Sequence, residues 1–238
     1  EIAQRRGMKI NEYGVFRGEE RLGGSEEKDV YDALNMQFIP PEIRENIGEI
    51  ELAIEHRLPE LVQSIKGDMH VHSKWSDGDA SIKEIARKAK EMGYRYVAVC
   101  DHSKSLKVAR GLDEKRLEAR NKEIDAINVE GVKILKGMEV DILENGSLDM
   151  DKKALDGLDI VIAAVHTRLK MSEKDMTNRV IKALGNDVVD IFAHPTGAMT
   201  GRREGYRIDL ARVAGECDAA YEINCSSERM DLNSSGIR

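Results

Sequence analysis

A chain of 238 residues with 41% hydrophobic content is long enough for one large α/β domain, or for one medium domain with an appendage. Its formal charge of −7 argues against a broad basic surface for gripping duplex nucleic acid, so any such contact is expected to be local. Three cysteines, Cys100, Cys217 and Cys225, are odd in number and lack CxxC spacing, which argues against a disulfide framework and for a reducing cytoplasm. No run of about 18 apolar residues offers a membrane span, and the acidic, mixed N-terminus is unlike a signal peptide.

Residues 1 to 64 are interrupted by Gly7, Gly14, Gly18, Gly23 and Gly24 and again by Pro40-Pro41. A short helix is expected from Ser25 to Asn35, with Glu26 and Glu27 placed well for the helix dipole. A second is expected from Glu49 to Leu58, burying Ile50, Ala53, Ile54 and Leu58, with His56 on its solvated side. The apolar content reads as too small for a second core, so the stretch is expected to be a fragment of a neighbouring domain followed by a linker.

From about residue 65 strand and helix alternate. Strands are expected at 65–72, 95–101, 132–140, 159–166, 188–194 and 219–224. Ser81-Ile82-Lys83-Glu84 is a capping-box pattern, followed by an apolar stripe of Ile82, Ile85, Ala86 and Ala89 and a stop at Gly93. Ser172 opens a later helix with Met176, Val180, Ile181 and Leu184 on one face and Gly185 at its end, while Asp113 and Asp209 read as N-caps of two more. A βαβα series implies parallel strands joined by crossover helices, and in such folds active sites form at the carboxyl ends of the strands.

The candidate ligands cluster at those ends. His70 and His72 are two apart in Gly67-Asp68-Met69-His70-Val71-His72 and project from one face of a strand, so two imidazoles can grip one cation. Asp101-His102, Glu139, His166 and His194 close later strands. Any one of these histidines is more often a surface or capping residue than a ligand, but so many strand ends landing on such residues favour a shared site. Imidazoles with carboxylates suit Zn²⁺, Mn²⁺ or Fe²⁺, and a carboxylate such as Glu139 can bridge two ions. Paired ions about 3.5 to 4 Å apart clamp the oxygens of a phosphate ester, which makes phosphoester hydrolysis the favoured reaction, although amide hydrolysis uses similar ligands. Asp68 reads equally as an orienting partner for an imidazole or as a plain strand residue. Lys104, Arg110, Arg202 and Arg203 are weaker candidates for holding a phosphate, since charged loop residues are usually just solvated. Cys100 and Cys225 read as small buried hydrophobes. Without GxxxxGK[ST] or GxGxxG, no nucleotide triphosphate cradle is indicated.

Taken together, GDMHVHSKWSDG, Asp101-His102, Glu139 in GMEVD, His166 in AAVHT and His194 in AHPTG resemble the successive motifs of the polymerase and histidinol phosphatase (PHP) superfamily. The resemblance covers residues 65–238 and implies an α/β fold, a distorted β/α barrel that is seven-stranded in the family and of which six strands are readable here. It implies two or three divalent ions (Zn, Mn or Fe): one held by His70, His72 and Glu139, a second by Glu139, His166 and His194, a third by Asp77 and His102. These seven residues are then both metal ligands and catalytic residues.

The N-terminal segments Ile10-Asn11-Glu12-Tyr13-Gly14, Ser25 to Tyr31 and Ile39-Pro40-Pro41-Glu42-Ile43-Arg44-Glu45 are similar to the end of the thumb in family X DNA polymerases, whose bacterial and archaeal branch continues into a PHP domain. Residues 1–64 are therefore expected to be a small α/β thumb fragment and linker, and 65–238 the PHP domain. The resemblance implies a 3′–5′ exonuclease acting on DNA 3′ ends in repair or proofreading, with the polymerase palm upstream of residue 1. It also implies that the family's last Asp-x-His motif is not reached before Arg238, leaving the domain short of its C-terminal end. A phosphomonoesterase of the histidinol-phosphatase kind and a metal-stabilised structural module of the polymerase stand as alternatives.

Overall fold

The alternation of apolar strand runs with capped helices beyond residue 65 folds as the pattern predicts in a computed structural model, which describes residues 1–44, 46–59, 65–226, 228–229 and 231–232. The chain divides into two units, Glu1–Gln63 and Ser64–Arg238. The domain boundary expected at residue 64, and Glu45 of the thumb-like motif, lie outside the described residues.

In the first unit α1 (Ile2–Arg5) precedes an antiparallel meander of β1 (Lys9–Asn11), β2 (Gly14–Arg17) and β3 (Glu20–Gly23). Gly14 adopts φ +132, and a Cβ there would lie 2.2 Å from the Gly23 carbonyl oxygen, so only glycine allows this close approach of β2 and β3. The first expected helix is shorter than its sequence signals: α2 spans Glu27–Ala33 and is capped by Glu26 rather than opened at Ser25. The Asp29 carboxylate accepts the backbone N–H groups of Ser25 (2.8 Å) and Glu26 (3.0 Å), which fixes that start.

Two expectations for this unit need correction. Val15, Leu34, Met36, Ile39, Ala53 and Leu58 do form a buried cluster, because residues from the meander and both helices pool their apolar faces. The second helix, α3, covers only Glu49–Ile54, and Ile50 (36%) and Ile54 (38%) stay exposed while Ala53 is buried. A helix of under two turns cannot aim its whole expected stripe at one core. His56 is exposed as expected, but in a left-handed turn (φ +56) beyond the end of α3, not on a helix face.

The second unit carries β4 (Gly67–Val71), α4 (Ile82–Glu91), β5 (Tyr96–Val99), α5 (Glu114–Ala126), β6 (Lys133–Asp141), α6 (Lys152–Leu155), β7 (Ile160–Ala164), α7 (Glu173–Leu184), β8 (Ile191–Phe192), α8 (Leu210–Glu216) and β9 (Ala220–Tyr221). The six strands form one parallel sheet in chain order, the α/β architecture expected from the sequence. Every residue of β7 is buried, as a strand covered on both faces requires. The helices start where the caps predict: Ser81, Asp113, Ser172 and Asp209 each accept a backbone N–H from three residues on. The four expected apolar positions of α4 are all buried; on α7, Met176, Val180 and Leu184 are buried and Ile181 is only partly so. Cys100 is buried, but Cys225 is exposed, contrary to its reading as a small buried hydrophobe, because it follows the last strand in an open turn.

The sheet is strongly curled. Six strands at about 4.8 Å spacing would set the outer two about 24 Å apart if flat. Instead His70 Nδ1, on β4, lies 2.9 Å from Glu222 Oε1, just beyond β9. The first and last strands therefore bring their carboxyl ends together, as a barrel does.

A buried ion pair braces the loop after β4. Asp101 accepts hydrogen bonds from Ser73 N (2.8 Å) and Ser76 Oγ (2.7 Å). Its other oxygen lies 3.5 Å from Arg120 Nη1, and Arg120 also donates to the Val99 (2.8 Å) and Gly137 (2.7 Å) carbonyls. Arg120 and Asp101 are both fully buried, so removing one strands the other's charge. Arg120→Met should lower the unfolding free energy by about 3 to 5 kcal/mol, measured by urea denaturation, with partial recovery when Asp101→Asn is added. A loss under about 1 kcal/mol would show that the serines alone hold Asp101.

Candidate metal centre

The curl converts scattered strand ends into one place. His70 lies on β4 and His72 one residue past it, while Glu139 lies within β6, two residues short of its end, because that strand runs on to Asp141. His102 follows β5 and forms an isolated bridge with Glu139, His166 follows β7, and His194 follows β8. His194 takes φ +30, the left-handed region, just before Pro195. All seven expected residues, His70, His72, Asp77, His102, Glu139, His166 and His194, line a single cavity of about 300 Å³ together with Gly78, Asn224 and Arg229. Gly78 keeps the loop that carries Asp77 tight, since a Cβ there would lie 2.2 Å from the His72 carbonyl oxygen.

Glu139 is the hub. It is 2% exposed, and its two oxygens face different groups. Oε2 lies 3.4 Å from Nε2 of both His70 and His72 and 2.8 Å from His102 Nδ1. Oε1 lies 2.8 Å from His194 Nε2 and 3.3 Å from His166 Nε2.

Three carboxylates fix the rings from behind. His70 Nδ1 donates to Glu222, His72 Nδ1 to Asp77 Oδ1 (3.0 Å) and His166 Nδ1 to Asp141 Oδ1 (2.5 Å). An ionised carboxylate only accepts, so each Nδ1 carries a proton, and in its neutral form each ring turns an Nε2 lone pair inward. His70 Nε2 and His72 Nε2 then face each other at 3.1 Å with lone pairs opposed. His102 Nδ1 is close to Glu139 yet not aligned for a hydrogen bond, and it and His194 Nδ1 are buried without a hydrogen-bond partner. Convergent lone pairs and an orphaned ring nitrogen are what a bound cation would satisfy.

Three sets place one ligand atom from each residue within 4.8 Å of the others: His70, His72 and Glu139; His72, Asp77 and His102; and His102, Glu139 and His166. The first matches the set implied by resemblance. In the others His72 joins Asp77 and His102, and His102 stands with Glu139 and His166 where resemblance puts His194.

Electrostatics agree with a site built for positive charge. Burial opposes a charged His70, but the Glu139 charge and hydrogen bonds to Glu139 and Glu222 outweigh it and raise its pKa to about 10. His166 is likewise raised to about 10, against burial, by Glu139 and Asp141. Glu139 is held well below its usual range despite burial, by the His70 and His166 charges first and hydrogen bonds from the ring nitrogens next. Asp77 is lowered to about 2, chiefly by its hydrogen bond with His72. His194 is lowered by burial, which exceeds the opposing pull of Glu139.

The weaker candidates are engaged elsewhere and line no part of the cavity. Lys104 pairs with Glu114 at 2.5 Å, Arg202 with Glu228 at 3.1 Å, and Arg203 donates to the Gly197 carbonyl at 2.7 and 3.0 Å. Arg110 sits in a left-handed turn (φ +58) after a 3-10 segment, away from the cavity lining. Asp68 accepts the His70 backbone N–H at 3.0 Å and so orients backbone, not an imidazole. Asp141, Glu222, Asn224 and Arg229 were not singled out by sequence. Asp141 had a signal, lying two residues beyond Glu139 in GMEVD, and Glu222 lies within the last expected strand.

The PHP domain family model matches residues 68–223, and the DNA polymerase beta thumb model matches residues 1–45. The DNA polymerase/3′-5′ exonuclease PolX of Bacillus subtilis (strain 168) is 46% identical over 241 residues, which cover 98% of this chain and 42% of that protein. A probable phosphatase of Thermoanaerobacter sp. (strain X514) is 36% identical over 169 residues, 67% of this chain and 64% of that protein. The chain thus spans less than two thirds of the length of these relatives.

A pH prediction follows from the ring pKa values. Both rings have folded values raised from 6.5 to about 10, so their contribution to stability is complete below pH 6.5 and is lost as pH rises to about 10. Glu139, lowered from 4.5, contributes above that value and loses its contribution in acid. Chelator-treated protein should therefore lose melting temperature between pH 6.5 and 10. Added Zn²⁺ or Mn²⁺ must displace those protons, so its stabilisation should grow across the same window. Thermal melts with and without metal decide this, and a gap independent of pH would contradict it.

Proposed function

The chain belongs to the PHP domain family, and on that premise we propose that its metal centre hydrolyses phosphodiester bonds, trimming DNA from the 3′ end within a family X DNA polymerase. The observation that carries the reading is Glu139, a buried carboxylate whose two oxygens face two different groups of imidazoles, as a bridge between cations requires. The thumb match and the 46% identity to PolX support the DNA substrate and the polymerase context. In this reading residues 1–64 are a thumb fragment and linker and 65–238 the PHP domain, working in the cytoplasm, where free Cys100, Cys217 and Cys225 stay reduced.

His70, His72 and Glu139 would hold one divalent ion, and Glu139, His166 and His102 or His194 a second. Asp77 and His102 are left for a third, but His72 and His102 each occur in two of the sets, so these side chains fill two complete sets at once. Zn²⁺, Mn²⁺ or Fe²⁺ suits such ligands. Bound there, the ions would supply Lewis acidity toward the phosphoryl oxygens and a lowered pKa for a bound water. The chain's own residues prepare the site. Asp77, Asp141 and Glu222 hold three rings in one tautomer, and the Asp101–Arg120 pair with Ser73 and Ser76 holds the loop between His72 and Asp77.

The phosphatase relative favours a second reading, phosphomonoester hydrolysis by the same centre. The two are separated by Mn²⁺-dependent digestion of a 5′-labelled DNA strand, set beside a small phosphate monoester, using this chain and the longer polymerase proposed to contain it. Stepwise 3′ shortening should fall by more than about 100-fold in His70→Ala and in Glu139→Gln. A preference for the monoester would move the assignment to the phosphatase, and metal binding without either activity to a structural module.

A further inference from the structure

Metal ligands alone do not hold a phosphate in place, and the cavity has one wall that supplies none of them. That wall is the turn after β9, which contributes Asn224 and Arg229. Arg229 is the one Lys or Arg among the described residues lining the cavity. Its Nη1 is buried and has no hydrogen-bond partner, and its guanidinium forms no ion pair among the described residues. A guanidinium offers five donors and almost always finds acceptors when it leaves water.

The described residues on either side of Arg229, by contrast, are held by hydrogen bonds. Asn224 and Asp231 exchange backbone hydrogen bonds at 2.5 and 3.2 Å, closing the turn. The Asp231 carboxylate accepts Thr196 N (3.0 Å) and Gly197 N (2.8 Å) from the loop after His194. Thr200 donates its N–H to the Glu228 carbonyl (2.8 Å) and its hydroxyl to the Arg229 carbonyl (3.0 Å). Arg229 N–H bonds the Ser226 carbonyl at 2.9 Å. The turn is thus tied down through main chain and neighbouring side chains, while the Arg229 side chain takes no part. A structural arginine shows the opposite pattern: Arg120, fully buried where Arg229 is only partly so, spends its donors on the Val99 and Gly137 carbonyls.

We propose that Arg229 is the phosphate-binding residue of this centre, donating to the non-bridging oxygens of a phosphoryl group that enters the cavity it shares with the candidate metal ligands. Asn224 assists, since its Oδ1 is occupied by the Ser226 N–H (3.1 Å) and its amide N–H groups remain to donate. The ligand class is a phosphate mono- or diester, for which a planar fork of donors has the matching geometry. The assignment rests on the phosphoesterase reading above and names its substrate-holding group.

The test measures binding, not turnover. Thymidine 5′-monophosphate, with thymidine as the control lacking phosphate, is titrated calorimetrically into the Mn²⁺-loaded chain and into Arg229→Met and Arg229→Lys, with metal content measured on each. Arg229→Met should keep the metal content and bind the nucleotide about tenfold to a hundredfold more weakly, Arg229→Lys should fall between, and thymidine should not separate the three. Nucleotide binding by Arg229→Met within about twofold of the parent overturns the assignment and leaves the phosphoesterase reading standing. Loss of bound metal in both variants also overturns it, by making Arg229 a support of the ligands. A parent chain that binds metal but no nucleotide overturns both readings.

Discussion

A carboxylate buried among imidazoles is the constraint on which this molecule turns. Glu139 is 2% exposed on the central part of a parallel sheet, where an isolated charge is expensive to keep out of water. Its compensation comes from five histidines on four other segments, within 3.4 Å of one or the other oxygen. Compensation of that kind has a condition: neutral rings aim lone pairs at the carboxylate and at one another, so a positive charge must be present. Protons fill that role when His70 and His166 are charged, and divalent ions would fill it too, one ion satisfying several lone pairs at once.

The curl of the sheet makes this compensation possible. His70 and Glu222 are 152 residues apart in sequence and belong to opposite ends of the strand order, yet they meet at 2.9 Å. Glu222 also accepts the His194 backbone N–H at 2.7 Å, so one carboxylate ties the carboxyl ends of β4, β8 and β9. Arg179 performs a similar office at the same end of the sheet, donating from α7 to the Leu143 and Thr167 carbonyls in the loops after β6 and β7. Barrel curvature and ligand geometry are therefore one problem, solved by the same polar groups.

The residues that gather at the candidate site were legible because strand-end chemistry is local. HxH spacing, Asp101-His102 and the β-branched runs before Glu139 and His166 reveal both strand and side chain from a few neighbouring residues. The groups that orient the ligands were not, because their roles come from meeting across the curl: nothing near Glu222 indicates that it faces His70. Arg229 escaped for a related reason, since its place depends on Asp231 gripping the loop at Thr196 and Gly197. The charged residues that sequence did single out, Lys104, Arg202 and Arg203, are spent on nearby partners. In the first unit the apolar count was misleading, since Val15, Met36, Ile39 and Leu58 come from segments too short to show a period and pool into one cluster.

Charge sets the order of events in the proposed reaction. The chain carries −7, and Glu139 and Asp77 line the cavity while Asp141 and Glu222 stand behind its rings, so without metal the charges of His70, His166 and Arg229 are spent largely on these carboxylates and a DNA phosphate meets little net attraction. The one guanidinium among the described residues of the lining cannot supply that attraction alone. Cations bound among the histidines would, by displacing the ring protons and taking the same carboxylates as ligands. Substrate affinity in this centre is thus expected to depend on metal occupancy before any chemistry begins, with Arg229 adding direction to an attraction that the ions create. On the proposed reading, an acidic chain would need no broad basic face to act on nucleic acid, since bound cations would concentrate positive charge at the one phosphate to be cut.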